Sequence, residues 1–198
     1  MIASIKPGVL FPESEAENIP CDFIYDIIDG KPYCRKSSPG VFSLAIIRSH
    51  LLKILFEGLT EESNVLIAST PALFMNDRNL VTGDIMVFES CKLTIDENYV
   101  QIPPKIIIEL DIKVELGDMQ QEEYVFLKAS KLVNFGVEKV LWFFSESEKV
   151  IVVDSKSWTS QGWDGDVNIL PGISCNIGQY MRNVNNRKNA FIFKNLQL

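Results

Sequence analysis

Glu109, Asp111 and Lys113 occupy alternate positions in the run PPKIIIELDIKVELGD (103–118). In an extended strand alternate residues share a face at steps of about 6–7 Å, so the three form a row of acid, acid and lysine. A further acid, Asp84, follows Gly83 at the start of the run DIMVFE. If the two strands are neighbours, Asp84 and Glu109 point into one pocket. Converging carboxylates repel unless a cation neutralises them, and Mg²⁺ or Mn²⁺ takes such oxygen ligands. In the metal-free protein, replacing Asp84 or Glu109 by Ala would then relieve repulsion. Lys128 stands beside the apolar stripe Val125, Ala129, Leu132 and Val133 of a later helical run. There its stem can be buried while its ammonium reaches toward the acids. Carboxylates holding a divalent cation, with a lysine close by, are the requirements of metal-assisted phosphodiester hydrolysis, which uses neither histidine nor a covalent nucleophile. The plainer account is that ELDIK is the wet face of a half-buried strand and Lys128 a surface lysine.

The surrounding elements must bring these residues together. Residues 1–20 read as an N-terminal arm and 21–198 as a single domain. Two short strands within 21–36 turn at Asp29-Gly30, a hairpin signal. A helix over about 41–58 is apolar nearly all round, which predicts deep burial. Strands are expected at 64–70, 79–89 and 105–115. A helix follows over 117–136, with acids at its start and Gly136 as its C-terminal cap. Strands at 137–145 and 149–154 come next, then a loop-rich flap and the polar tail NVNNRKN. This order predicts an α/β chain with a mixed sheet, in which the helix at 117–136 links two parallel strands.

Composition removes several alternatives. The formal charge is −7 over 198 residues, which argues against a general nucleic-acid coat, because phosphate binding needs clustered Lys and Arg. FMNDRN (74–79), NNRKN (185–189) and Lys31/Arg35/Lys36 are the basic stretches on offer. The single histidine, His50, lies within a helical run and reads as structural. Cys21, Cys34, Cys91 and Cys175 form no C-x-x-C pair, so zinc ribbons and redox dithiols are unsupported and reduced thiols in a cytoplasm are expected. No apolar run is long enough for a membrane span and no secretory signal is visible. Trp142, Phe143, Phe144, Trp158 and Trp163 read as core or lid.

Taken in order, YDIIDGK (25–31), GDIMVF (83–88), IIIELDIK (106–113) and LKASKLVNFGVEKVLWFF (127–144) resemble the Uma-type restriction endonucleases. These are a bacterial group of the PD-(D/E)XK nuclease superfamily, long labelled a domain of unknown function. The resemblance covers residues 21–154. It implies a restriction-endonuclease-like fold, a central mixed sheet flanked by helices, and Mg²⁺-dependent cleavage of double-stranded DNA by a monomer or a homodimer. Asp84 falls on the family's motif aspartate, with Gly83 where Pro is commoner. Glu109 falls on the strand glutamate and Lys128 on a recurring helix lysine. Asp26 stands where Glu is usual, and the resemblance offers the acid there as a completing ligand of the metal shell. Asp111 and Lys113 mark a departure, since many members carry E-V-L-S-P here. Which lysine acts therefore stays open, with Lys113 the literal D-x-K match. The alternative function is a catalytically degenerate member serving as a binding or scaffold module.

Overall fold

The computed structural model describes residues 23–36, 42–68, 71–94, 99–112 and 121–195. The expected arm at 1–20 and Lys113 lie outside them. The centre is a six-stranded sheet in the order β10-β9-β8-β7-β6-β3, built from β3 (Asn64–Ile67), β6 (Ile85–Glu89), β7 (Ile106–Asp111), β8 (Lys139–Phe144), β9 (Lys149–Asp154) and β10 (Trp158–Gly162). β7 and β8 run parallel and the other neighbours antiparallel. A four-stranded sheet has the order β2-β1-β5-β4, from β1 (Phe23–Ile28), β2 (Lys31–Lys36), β4 (Ala72–Asn76) and β5 (Asn79–Thr82). A small hairpin pairs β11 (Val167–Leu170) with β12 (Ile173–Cys175). The helices are α1 (Phe42–Gly58), α2 (Gln121–Phe135) and α3 (Ile177–Asn195).

β7 is buried along its whole length, and its alternation divides two cores. Ile106, Ile108 and Leu110 join Leu44, Ile47, Leu51 and Leu55 of α1 and the β11–β12 hairpin on one face. Ile107 joins Tyr124, Val125, Ala129 and Leu132 of α2 on the other. The face that carries Glu109 and Asp111 is therefore not wet. The sequence pattern of alternating polar residues is the same for a solvated face and for a polar site roofed by a helix; only the position of α2 separates them.

α2 links the parallel pair β7 and β8, and its end is built as the sequence predicts. Gly136 has φ 115°; its N–H donates to the Val133 carbonyl, and the Val137 N–H donates to Leu132, both at 3.0 Å. This is a Schellman closure, which needs a residue free to enter the left-handed region. The β1–β2 hairpin turns at Asp29 and Gly30, φ 53° and 78°.

Other expectations are corrected. The single strand over 79–89 is two strands in different sheets, divided at Gly83-Asp84. A Cβ on Gly83 would stand 2.8 Å from both Ile107 Cγ2 and Met86 Cε, so the chain crosses between the sheets through a gap that glycine fits. The stretch FMNDRN forms the β4–β5 hairpin, where Arg78 Nη2 donates to the Asp29 carbonyl at 2.8 Å. α1 is buried on one side only: Phe42 and Phe56 are exposed. Trp142, Phe143, Phe144 and Trp163 are buried, whereas Trp158 is 39% exposed. The polar tail belongs to α3, whose first turn is capped by the Asn176 side chain accepting the Gln179 N–H at 2.9 Å. Its asparagines are weak helix formers, which hides the helix from a reading of propensity and pattern. No helix among the described residues is long and apolar enough to cross a membrane.

His50 on α1 stacks on Tyr180 of α3, with ring centroids 3.6 Å apart and planes at 1°. Burial lowers its pKa from 6.5, with Lys53 adding to the effect and Glu57 opposing it. A histidine whose folded pKa lies below its unfolded one binds more protons when unfolded, so stability rises with pH through the window between the two and falls on acidification below 6.5. Thermal melts of wild type from pH 7.5 down to about 5 should show this loss, and His50→Gln should flatten that part of the profile. An unchanged slope would mean that His50 does not carry it.

Candidate active site

Lys128 has no solvent exposure. Its Nζ lies 2.8 Å from Asp26 Oδ2 and 2.7 Å from Glu109 Oε1. It also lies 5.4 Å from the Trp142 ring centroid and 5.9 Å from that of Tyr124. Three elements meet here: Asp26 comes from β1, Glu109 from β7 and Lys128 from the middle of α2. Stripping water from an ammonium costs several kcal/mol. Two carboxylates and two ring faces replace that water with fixed negative potential.

The carboxylates are themselves held. Asp26 Oδ1 accepts the Thr82 N–H at 2.7 Å and the Thr82 hydroxyl at 3.0 Å, while Tyr124 donates its phenolic hydrogen to Oδ2. Tyr124 precedes Lys128 by four residues, the spacing that puts two side chains on one helix face. Asp26 therefore ties the four-stranded sheet to α2 and leaves Lys128 little freedom. Asp111, also buried, accepts the Trp142 Nε1–H at 2.8 Å.

Asp84 occupies the crossing between the sheets, one residue before β6. The antiparallel pairing with β7 starts one residue later, at Ile85 and Ile108. Asp84 Oδ2 accepts the Leu110 N–H at 2.8 Å, and Oδ1 is ion-paired to Arg48 Nη2 at 2.5 Å. The counter-cations of the two acids come from opposite layers: Lys128 from α2 for Glu109, Arg48 from α1 for Asp84. Of the residues singled out from sequence, the structure joins Asp26 and Glu109 through Lys128, holds Asp111 on Trp142, and holds Asp84 against the Leu110 N–H and Arg48; Lys113 lies outside the described residues.

Sequence reasoning did not single out Tyr124, Thr82 or Arg48. Tyr124 carried a usable signal in its spacing from Lys128. Arg48 carried one too, as a cation set between Ile47 and Leu51 of a buried stripe. Thr82 carried none.

Carboxylate oxygens from adjacent strands are the hard donors that Mg²⁺ takes. Asp84 Oδ1 is held by an arginine side chain that is 41% exposed, so that oxygen can be released without unpacking the core. Asp84 therefore offers one oxygen donor of the type Mg²⁺ takes, whereas Glu109 is ion-paired to Lys128 from the other layer. Among the described residues, no three His, Cys, Asp or Glu side chains form a metal-ligating group, so water or backbone carbonyls would complete such a shell.

No family model matches the chain, and no curated protein sequence matches it. Among solved structures, it is similar to a protein from Anabaena variabilis described as a putative nuclease belonging to DUF820. That likeness has a TM-score of 0.63 at 15% identity and covers 83% of this chain and 94% of the other. The chain thus has a mixed α/β fold, with a central sheet between helices, and shares it with that protein.

The expected relief on removing Glu109 does not fit this geometry. Glu109 faces a buried ammonium, so its loss takes a counter-charge away from Lys128. Lys128→Met, which keeps much of the stem, should destabilise the protein by roughly 3–5 kcal/mol, the range for removing one partner of a buried ion pair. Tyr124→Phe should cost about 1–2 kcal/mol, as for a lost buried hydrogen bond. Denaturant unfolding measures both. A Lys128→Met loss below about 1 kcal/mol would place the ammonium in an environment as wet as a surface pair.

Proposed function

We propose that the protein is a Mg²⁺-dependent endonuclease that hydrolyses phosphodiester bonds of double-stranded DNA, and that it belongs with the Uma-type nucleases of the PD-(D/E)XK superfamily. The observation that carries the reading is the fully buried lysine paired with acids from two different sheets, with a further buried acid, Asp84, accepting the N–H of the residue after Glu109. A structural core gains little from such a group, since hydrophobic residues of similar volume often serve stability as well or better. A site that must counter charge developing on a phosphate does gain from it.

In this reading Asp84 and Glu109 hold Mg²⁺ or Mn²⁺. The ion, when bound, polarises the scissile phosphate and makes a water more acidic. Lys128 keeps the Glu109 carboxylate fixed and its own positive charge close to the reacting phosphate. Asp26 and Tyr124 aim Lys128. Asp111, oriented by Trp142, adds an acceptor at the end of β7. Lys113, two residues after Asp111, is the competing candidate for the lysine that meets the phosphate.

A second reading, a catalytically degenerate chain used as a binding or scaffold module, draws on the Arg48 pair: both oxygens of Asp84 already have protein partners. One assay separates the two. Supercoiled plasmid incubated with wild type should be nicked in Mg²⁺ and left intact in EDTA. Asp84→Asn and Glu109→Gln should each lower the rate at least about a hundredfold, as expected when several kcal/mol of charge stabilisation is lost. Lys113→Met and Lys128→Met, compared at a temperature where both remain folded, assign the lysine. Nicking by wild type and both acid variants at equal rates, or by none of the three, favours the module.

A further inference from the structure

We propose that Arg48 is the resident counter-cation of the metal-binding carboxylate: its guanidinium holds Asp84 while the site is empty of metal and yields that oxygen to the divalent ion. This rests on the reading of Asp84 as a metal ligand and adds a regulator of its affinity.

The pairing has the features of an exchangeable stand-in. Asp84 is buried, with 4% of its surface exposed, and one of its oxygens is already used by the Leu110 N–H. The other oxygen faces Arg48, so an ion in the pocket and the guanidinium claim the same atom. A buried carboxylate without a counter-charge is costly, which explains why a cation is kept there. Arg48 is only half-committed to the position. Its side chain is 41% exposed, and its Nε is buried with no hydrogen-bond partner among the described residues. Arginine offers five donors in a fixed fork, and here Nη2 reaches Asp84 while Nε has no acceptor among the described residues. The paired position is therefore incompletely satisfied, and solvent is open to the displaced side chain. Lys128 differs in exposure and in partners: it is fully enclosed and lies within ion-pair distance of two carboxylates. The site thus carries one permanent cation and one removable one.

Competition for one oxygen is reciprocal: whatever the pair adds to the metal-free state is subtracted from metal binding. Arg48→Ala should tighten Mg²⁺ and Mn²⁺ binding by at least about fivefold in isothermal titration, within the usual range of coupling between linked sites. The same variant should melt lower than wild type in EDTA and gain more from saturating Mg²⁺. Losing a nearby positive charge would tighten binding even without exchange, so a direct readout is needed. In wild type labelled at arginine nitrogens, the Arg48 side-chain resonances should shift when Mg²⁺ is added and stay fixed in Asp84→Asn.

Affinity that is unchanged or weaker in Arg48→Ala overturns the proposal, as do Arg48 resonances that ignore Mg²⁺ in a wild type that binds it. If wild type, Arg48→Ala and Asp84→Asn all take up no cation, the metal-ligand reading itself fails, and this inference fails with it. If wild type and Asp84→Asn bind equally, the ion sits elsewhere and only Asp84's role is lost.

Discussion

Everything around the site depends on enclosing the Lys128 amine where no solvent reaches it. Lys128 satisfies this by meeting Asp26 and Glu109, which reach it from different sheets, beneath the rings of Trp142 and Tyr124. None of these groups is tolerable alone in the interior. A lone buried ammonium or carboxylate shifts its protonation or forces the structure open. Together they are mutually required, so the positions of α2, β1 and β7 are fixed by one electrostatic condition as well as by the packing of Leu132, Val125 and Ile107. Hydrogen bonds from Thr82 and Tyr124 to Asp26 take up its remaining lone pairs, as low-dielectric networks demand.

The second organising feature is the crossing at Gly83-Asp84. A continuous strand there would keep Asp84 within one sheet's pleat. Because the chain leaves β5 of one sheet and enters β6 of the other, the Asp84 carboxylate is free of that alternation and turns toward the Leu110 N–H and Arg48. Sheet crossing and side-chain direction are thus a single event. The close approach of Ile107 and Met86 to Gly83 leaves little room for a larger residue at that point.

The resemblance in the sequence and the likeness in the fold have different physical content. A likeness at 15% identity speaks to how the strands and helices are arranged, and fold by itself does not carry chemistry. The proposed chemistry rests on this chain's own side chains: buried, charged and drawn from several elements.

The sequence by itself determined the elements with strong local signals. The β1–β2 turn follows from Asp29-Gly30, the end of α2 from Gly136, and the two-faced β7 from its alternating isoleucines, because backbone freedom and periodicity act within a few residues. It also placed Asp84, Glu109 and Lys128 among the residues of interest, through their types and neighbours. It misjudged α3, whose asparagines mask the helix, and the continuity of 79–89, where one glycine divides two sheets. Tertiary structure alone decided that the polar face of β7 is roofed by α2, that Lys128 is enclosed, and that Asp84 is met by Arg48. Those outcomes join side chains 36 and 19 residues apart or more. Burial and pairing over such separations depend on how layers stack, which local residue pattern does not encode.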